Sequence, residues 1–172
     1  EDLVKMADKI ITEFITLDDV TGGDVYFGLA ESYQIRFLAR EINTFKKIYP
    51  GLRYHITSGD TEQVTEKLDK GVIDFAVLVE EPNAAKYNYL CFPESDAWGV
   101  VMPKDCRLAE KEKIEAADLI GLPLFCSDQG WHKDITRWCG GQIDTLHLEG
   151  SFRLSYNASL FVKEQLGYLL TF

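Results

Sequence analysis

Two short stretches carry residue types suited to holding a small ligand: Glu31-Ser32-Tyr33 and Ser58-Gly59-Asp60-Thr61. Each stands between a strand-like run and a helical pattern. Backbone N–H groups and the helix dipole at such a point favour an anion. Ser32, Ser58 and Thr61 add hydroxyls, and hydroxyls converging with N–H groups hold a carboxylate without a buried lysine or arginine. Tyr33 and Trp131 could wall a pocket with flat rings. A plainer reading stands beside each of these. Serine, threonine and aspartate are common helix caps, and an aromatic near an edge often belongs to a core or an interface. Catalysis needs more than this. Glu31, Glu80 and Asp128 are acids, but the sequence pattern places no catalytic base with them. No phosphate loop, nucleophile elbow or Ser/His/Asp order occurs. His55, His132 and His147 are isolated, so neither a metal nor a cofactor is expected.

These stretches depend on the elements around them. Leu3, Ala7, Ile10, Phe14 and Leu17 alternate steps of four and three, which gives a helix over 1–18 with a heptad seam. It is either an amphipathic helix packed on the domain or the end of a longer helix. Asp18–Gly23 is a linker. Val25–Leu29 reads as a buried strand. Ile35, Leu38, Ile42 and Phe45 form a helical stripe stopped by Pro50-Gly51. Leu52, Tyr54 and Ile56 alternate as a second strand. Asp60 with Gln63 resembles a capping box before a helix buried at Val64 and Leu68, ended by Gly71. Ile73–Val79 closes a βαβαβ unit with parallel crossovers. The pattern then changes, with strands at Tyr87–Phe92 and Trp98–Met102. Beyond them come a short helix near Glu115–Leu119, a strand at Leu122–Cys126, and a helix over Trp131–Trp138. A strand at Ile143–Leu148, a helix over Tyr156–Leu166 with Leu160, Phe161 and Leu166 inward, and the apolar run Gly167–Phe172 finish the chain.

Composition narrows the class. A 46% hydrophobic content over 172 residues supports a real core. The charge of −10 argues against this segment itself gripping nucleic acid. No apolar run is long enough for a membrane span, and Glu1-Asp2 does not begin a signal peptide. Cys91, Cys106, Cys126 and Cys139 have no framework spacing and read as reduced thiols of a cytoplasmic protein.

Several segments, in order, resemble the effector-binding domain of LysR-type transcriptional regulators. They are Gly23–Gly28, Phe45–Leu52, Leu68–Ala76, Val101–Asp105, Ala117–Leu124 and Val162–Tyr168. The resemblance implies an α/β fold like that of the type II periplasmic binding proteins, with two lobes, each a doubly wound mixed sheet. It divides the chain into a linker helix and linker at 1–21, lobe I at 22–95, lobe II at 96–168, and the start of a return to lobe I at 169–172. The rest of that return is expected to be missing here. The resemblance places an effector between the lobes. Ser32 and Thr61 match its hydroxyl contacts, and Cys126-Ser127-Asp128-Gln129 matches the loop closing over it. The expected ligand-binding set is therefore Ser32, Tyr33, Ser58, Thr61, Cys126, Ser127, Gln129 and Trp131. Some members of the family sense peroxide through two lobe II cysteines, but Cys126 and Cys139 do not match that spacing closely.

The implied partners are a small effector, a second copy in a dimer or tetramer, and DNA through an N-terminal winged helix-turn-helix absent from this chain. Antiparallel pairing would use the region of Phe37, Phe45 and Tyr49. Two other functions fit the same scaffold. A transporter's solute-binding protein would show a signal or lipobox upstream. An enzyme would need a catalytic pair in the cleft.

Overall fold

The structure, a computed structural model, describes residues 2–16 and 22–172. They form two compact units, Glu1–Asp96 and Ala97–Phe172.

In the first unit, α1 (Asp2–Thr16) precedes β1 (Gly22–Leu29), α2 (Ile35–Ile48), β2 (Gly51–Ser58), α3 (Thr61–Asp69) and β3 (Phe75–Val77). A helix separates β1 from β2 and another separates β2 from β3, so the strands run parallel, in the order β2-β1-β3. The mixed sheet expected in each lobe is thus found only in the second unit, among the described residues. β3 is shorter than the run that suggested it: Ile73 is buried just before it, whereas Val79 is exposed beyond it.

Close packing of α3 on β1 depends on Gly28. A Cβ there would lie 2.5 Å from Ile73 Cδ1 and 2.8 Å from Val64 Cγ1. Asp60 caps α3 as its spacing suggests, accepting the Gln63 N–H at 2.9 Å. Gly71 follows the helix with φ +68°, a conformation glycine adopts without a Cβ penalty.

α1 meets the unit through the polar side chain of Lys9. Lys9 Nζ donates to Asp74 Oδ1 at 2.5 Å and lies 5.3 Å from the centre of the Tyr26 ring. Asp74 Oδ2 accepts the Tyr26 N–H at 2.8 Å. Leu3, by contrast, is 81% exposed, and Ile10 is exposed too. Phe14 and Leu17 of the seam lie outside the described side chains. The reading of α1 as an amphipathic helix packed by its apolar seam is therefore corrected for Leu3 and Ile10.

The strand expected at Tyr87–Phe92 does not form. Leu90 is 99% exposed, and no strand among the described residues pairs with the segment. Side chains hold it instead. Tyr87 Oη and Lys86 Nζ donate to Asp69 at 2.6 and 2.5 Å, and Phe92 stacks 6.3 Å from Phe37.

The second unit holds β4 (Gly99–Val101), β5 (Pro123–Ser127), β6 (His147–Phe152) and β7 (Tyr168–Thr171) in the order β4-β7-β5-β6. β4 is antiparallel to β7, and the other pairings are parallel. Between β5 and β6 run α4 (Asp128–Gly130), a π-helical turn (Trp131–Ile135) and α5 (Thr136–Trp138). The expected strand over Ile143–Leu148 begins later, because Ile143–Thr145 is a 3₁₀ turn. Leu119, Leu124, Cys126, Trp131, Ile135 and Leu170 make most of one core.

α6 (Ser155–Lys163) buries Ala158 and Val162 with Leu169 in a second core. Leu160, Phe161 and Leu166 are exposed, which corrects the expected inward face. Positions 158 and 162, four apart, share the buried side, and Leu166 lies past the helix end.

Candidate functional site

β1 and β2 end side by side. Leu29 is in register with Ser58, and the Gly59 N–H donates to the Leu29 carbonyl at 3.2 Å. The loops carrying Ser32 and Asp60-Thr61 therefore leave the same edge of the parallel sheet. This is where strand-to-helix turns present polar groups.

The turn before α2 is not an open set of donors. Ile35, Arg36 and Phe37 N–H groups reach the carbonyls of Ser32, Tyr33 and Gln34 at 3.3, 3.3 and 2.9 Å. Ser32 Oγ accepts the Gln34 N–H at 3.0 Å and donates its proton to Asp96 Oδ2 at 2.5 Å. Gln34 Nε2 donates to Asp96 Oδ1 at 3.2 Å and approaches the Ser95 carbonyl at 3.5 Å. The N–H groups of residues 34–37 are thus engaged within the turn, which tightens on its own carbonyls and on Ser32 Oγ. Gln34 Oε1 and Arg36 Nε are buried without a hydrogen-bond partner.

Arg36 pairs with Glu94 through its terminal nitrogen and stacks its guanidinium 4.8 Å from the Tyr33 ring. Tyr33 is exposed, and so is Ser58, which ends β2 in register with buried Leu29. Thr61 is half-buried in the first turn of α3, and its carbonyl accepts the Thr65 hydroxyl.

In the second unit Ser127 caps a helical turn, its Oγ accepting the Gly130 N–H at 3.2 Å. Gln129 follows within that turn. Cys126 and Trp131 are buried in the core of this unit. Cys126 is 0% exposed and Trp131 is 7% exposed, and both lie in the main core. Burial pushes the Cys126 thiol up to about 12. The alternation along β5 explains this, since Leu124 and Cys126 face inward together. Trp98 packs its ring over Gly130, where a Cβ would lie 2.4 Å from it. A cavity of about 300 Å³ in this unit is lined by Arg107, Leu108, Lys111, Ala117, Asp118, Leu122 and Tyr168. None of these was an expected contact.

Ser32, Ser58 and Thr61 therefore share one edge of the first sheet. Gln34 and Asp96 join Ser32 there without any local sequence signal, since Asp96 is 64 residues away from Ser32. At the opposite end of β1, Asp24 accepts from Arg53 at 2.9 and 2.7 Å and meets His55 Nε2 at 2.7 Å. The Arg53 hydrogen bond holds the Asp24 carboxyl below its usual range, outweighing partial desolvation. Among the described residues no group of three His, Cys, Asp or Glu could hold a metal ion. No helix among them is long and apolar enough to cross a membrane.

A parallel three-stranded unit followed by a mixed four-stranded one has the architecture of two-lobed, type II periplasmic-binding-like effector domains. The chain belongs to the LysR substrate binding domain family, whose model matches residues 19–162. It is 28% identical over 128 residues to the uncharacterized HTH-type transcriptional regulator YvbU of Bacillus subtilis (strain 168), covering 73% of this chain and 42% of that protein. The chain thus spans about two fifths of that relative's length. Among solved structures it resembles the effector-binding domain of QuiR in complex with shikimate, at a TM-score of 0.70 and 15% identity, covering 87% of this chain and 73% of that one. It also resembles the BenM effector-binding domain with its effector benzoate, at 0.61 and 16%, covering 89% and 71%. At these identities the likeness is one of fold.

Proposed function

We propose that this chain is the ligand-sensing domain of a DNA-binding transcriptional regulator and that it binds a small, carboxylate-bearing effector. The observation that carries this reading is membership in the LysR substrate-binding family. Shikimate and benzoate, held by two proteins of similar fold, are both small carboxylates, which supports the ligand class. The side chains assigned to the effector in this reading are Ser32 and Thr61 of the first unit and Ser127 and Gln129 of the second. Signalling requires that it bind one arrangement of the domain better than another. The domain senses and does not turn over its ligand. It works in the cytoplasm as a dimer or tetramer, with DNA contacted by a winged helix-turn-helix that lies outside this sequence.

A thermal-shift screen of small carboxylates and aromatic acids tests this. A ligand at about 100 times its dissociation constant adds about 2.7 kcal/mol of stability. At least one such stabiliser is expected. The shift should shrink in Ser32→Ala and Thr61→Ala, and an unchanged shift in both variants would remove these residues from the site.

A further inference from the structure

Asp96 already sits on donors that an effector carboxylate would use. Its Oδ2 takes the Ser32 hydroxyl proton at 2.5 Å, and its Oδ1 takes the Gln34 side-chain N–H at 3.2 Å. Serine has one O–H, so a second carboxylate cannot take the same proton while Asp96 holds it. Two carboxylates crowded on one pair of donors also repel each other.

Gln34 adds an independent observation. It is 6% exposed, and its Oε1 has no hydrogen-bond partner. A buried acceptor without a donor is costly. The same amide that gives its N–H to Asp96 therefore presents an unused acceptor beside that carboxylate. A hydroxy acid complements this arrangement, with its carboxylate on Ser32 Oγ and Gln34 Nε2 and its hydroxyl donating to Gln34 Oε1.

We propose that Asp96 is an internal competitor for the effector, and that the effector is a hydroxy acid that binds by displacing the Asp96 carboxylate from Ser32 and Gln34. Displacement also releases the Ser95–Asp96 segment from the start of α2. The segment ends the first compact unit, so binding is coupled to the stretch of chain leading to the second. This inference rests on the effector-domain reading, but its test needs no natural effector.

The probes are glycolate and acetate, which differ by one hydroxyl, titrated into the 172-residue chain. Binding is read from the Gln34 backbone and side-chain amide signals in NMR spectra. Removing the competitor in Asp96→Ala should lower the half-saturating glycolate concentration at least about tenfold, the scale of one charge-assisted hydrogen bond. Glycolate should bind that variant more tightly than acetate does. Adding Ser32→Ala to Asp96→Ala should abolish the gain, and hydrogen exchange at residues 95–97 should be faster in Asp96→Ala than in the unmodified chain. If Asp96→Ala loses its cooperative melt, Asp96→Ser removes the carboxylate equally.

Equal half-saturation in the unmodified chain and the variant would overturn the competitor role, as would no response in either. A gain that survives Ser32→Ala would overturn the site, and equal affinity for acetate and glycolate would overturn the hydroxy-acid assignment. A failed titration alongside a successful effector screen removes the role of Asp96 alone. A failed screen alongside a successful titration removes the sensor reading alone.

Discussion

Gly28 lets α3 lie close against β1, beside the sheet edge that carries Ser32 and Thr61. In Gly28→Ala the new methyl would start 2.5 Å from Ile73 Cδ1 and 2.8 Å from Val64 Cγ1. The Ile73 contact is the far end of a flexible side chain and can swing away. The Val64 contact cannot, because a β-branched side chain on a helix has essentially one rotamer. Val64 is also almost fully buried. Overpacking of this kind costs about 1–3 kcal/mol. Val64→Ala alone removes two buried methyl groups and costs about 2 kcal/mol. The two changes should not add. With Val64 shortened, the methyl introduced at position 28 has room, so Gly28→Ala should cost less than about 1 kcal/mol in that background. Urea unfolding of the four proteins, followed by circular dichroism, measures the cycle. Strict additivity, or a neutral Gly28→Ala, would refute the claim that this contact sets the α3–β1 spacing.

Two other outcomes follow from buried and paired groups. Asp24→Asn should destabilise the chain by about 1 kcal/mol at pH 7, a modest figure because Arg53 and His55 are largely exposed. The folded Asp24 pKa lies below 3.8, so its contribution is present above that value and is lost as pH falls through the folded pKa. The stability gap between the two proteins should therefore close below about pH 4, as read from urea midpoints across a pH series. Exposed Cys91 should react with a thiol reagent in the native protein, whereas Cys126, fully buried with its thiol pushed up to about 12, should react only on unfolding. Peptide mass mapping of the labelled protein distinguishes them.

The sequence was most readable where a local signal and a packing requirement coincide. The α2 stripe, the Asp60 cap and Gly71 each announce themselves within a few residues, and β1, α2, β2 and α3 form where those signals place them. Tyr87–Phe92 was misleading because aromatic and apolar residues there suggest a strand, while strand formation needs a pairing neighbour that only the tertiary structure reveals. On α6 the apolar residues outnumber the places in the core, so the choice of Ala158 and Val162 over Leu160 and Phe161 was not local. The candidate site shows the same division. Ser32 and Thr61 were legible as hydroxyls at helix starts. The burial of Cys126 follows the alternation of β5, which a strand at that place implies. Asp96 could not be found from pattern, since only folding brings it to Ser32.

Mapping a bound ligand by NMR tests the sensor reading most directly. The strongest stabiliser from the carboxylate screen, titrated into the isotopically labelled chain, should shift the amide signals of residues 31–35, 60–63 and 127–130 together at one affinity. Shifts confined to other residues, or a screen without any stabiliser, would contradict effector sensing through Ser32 and Thr61.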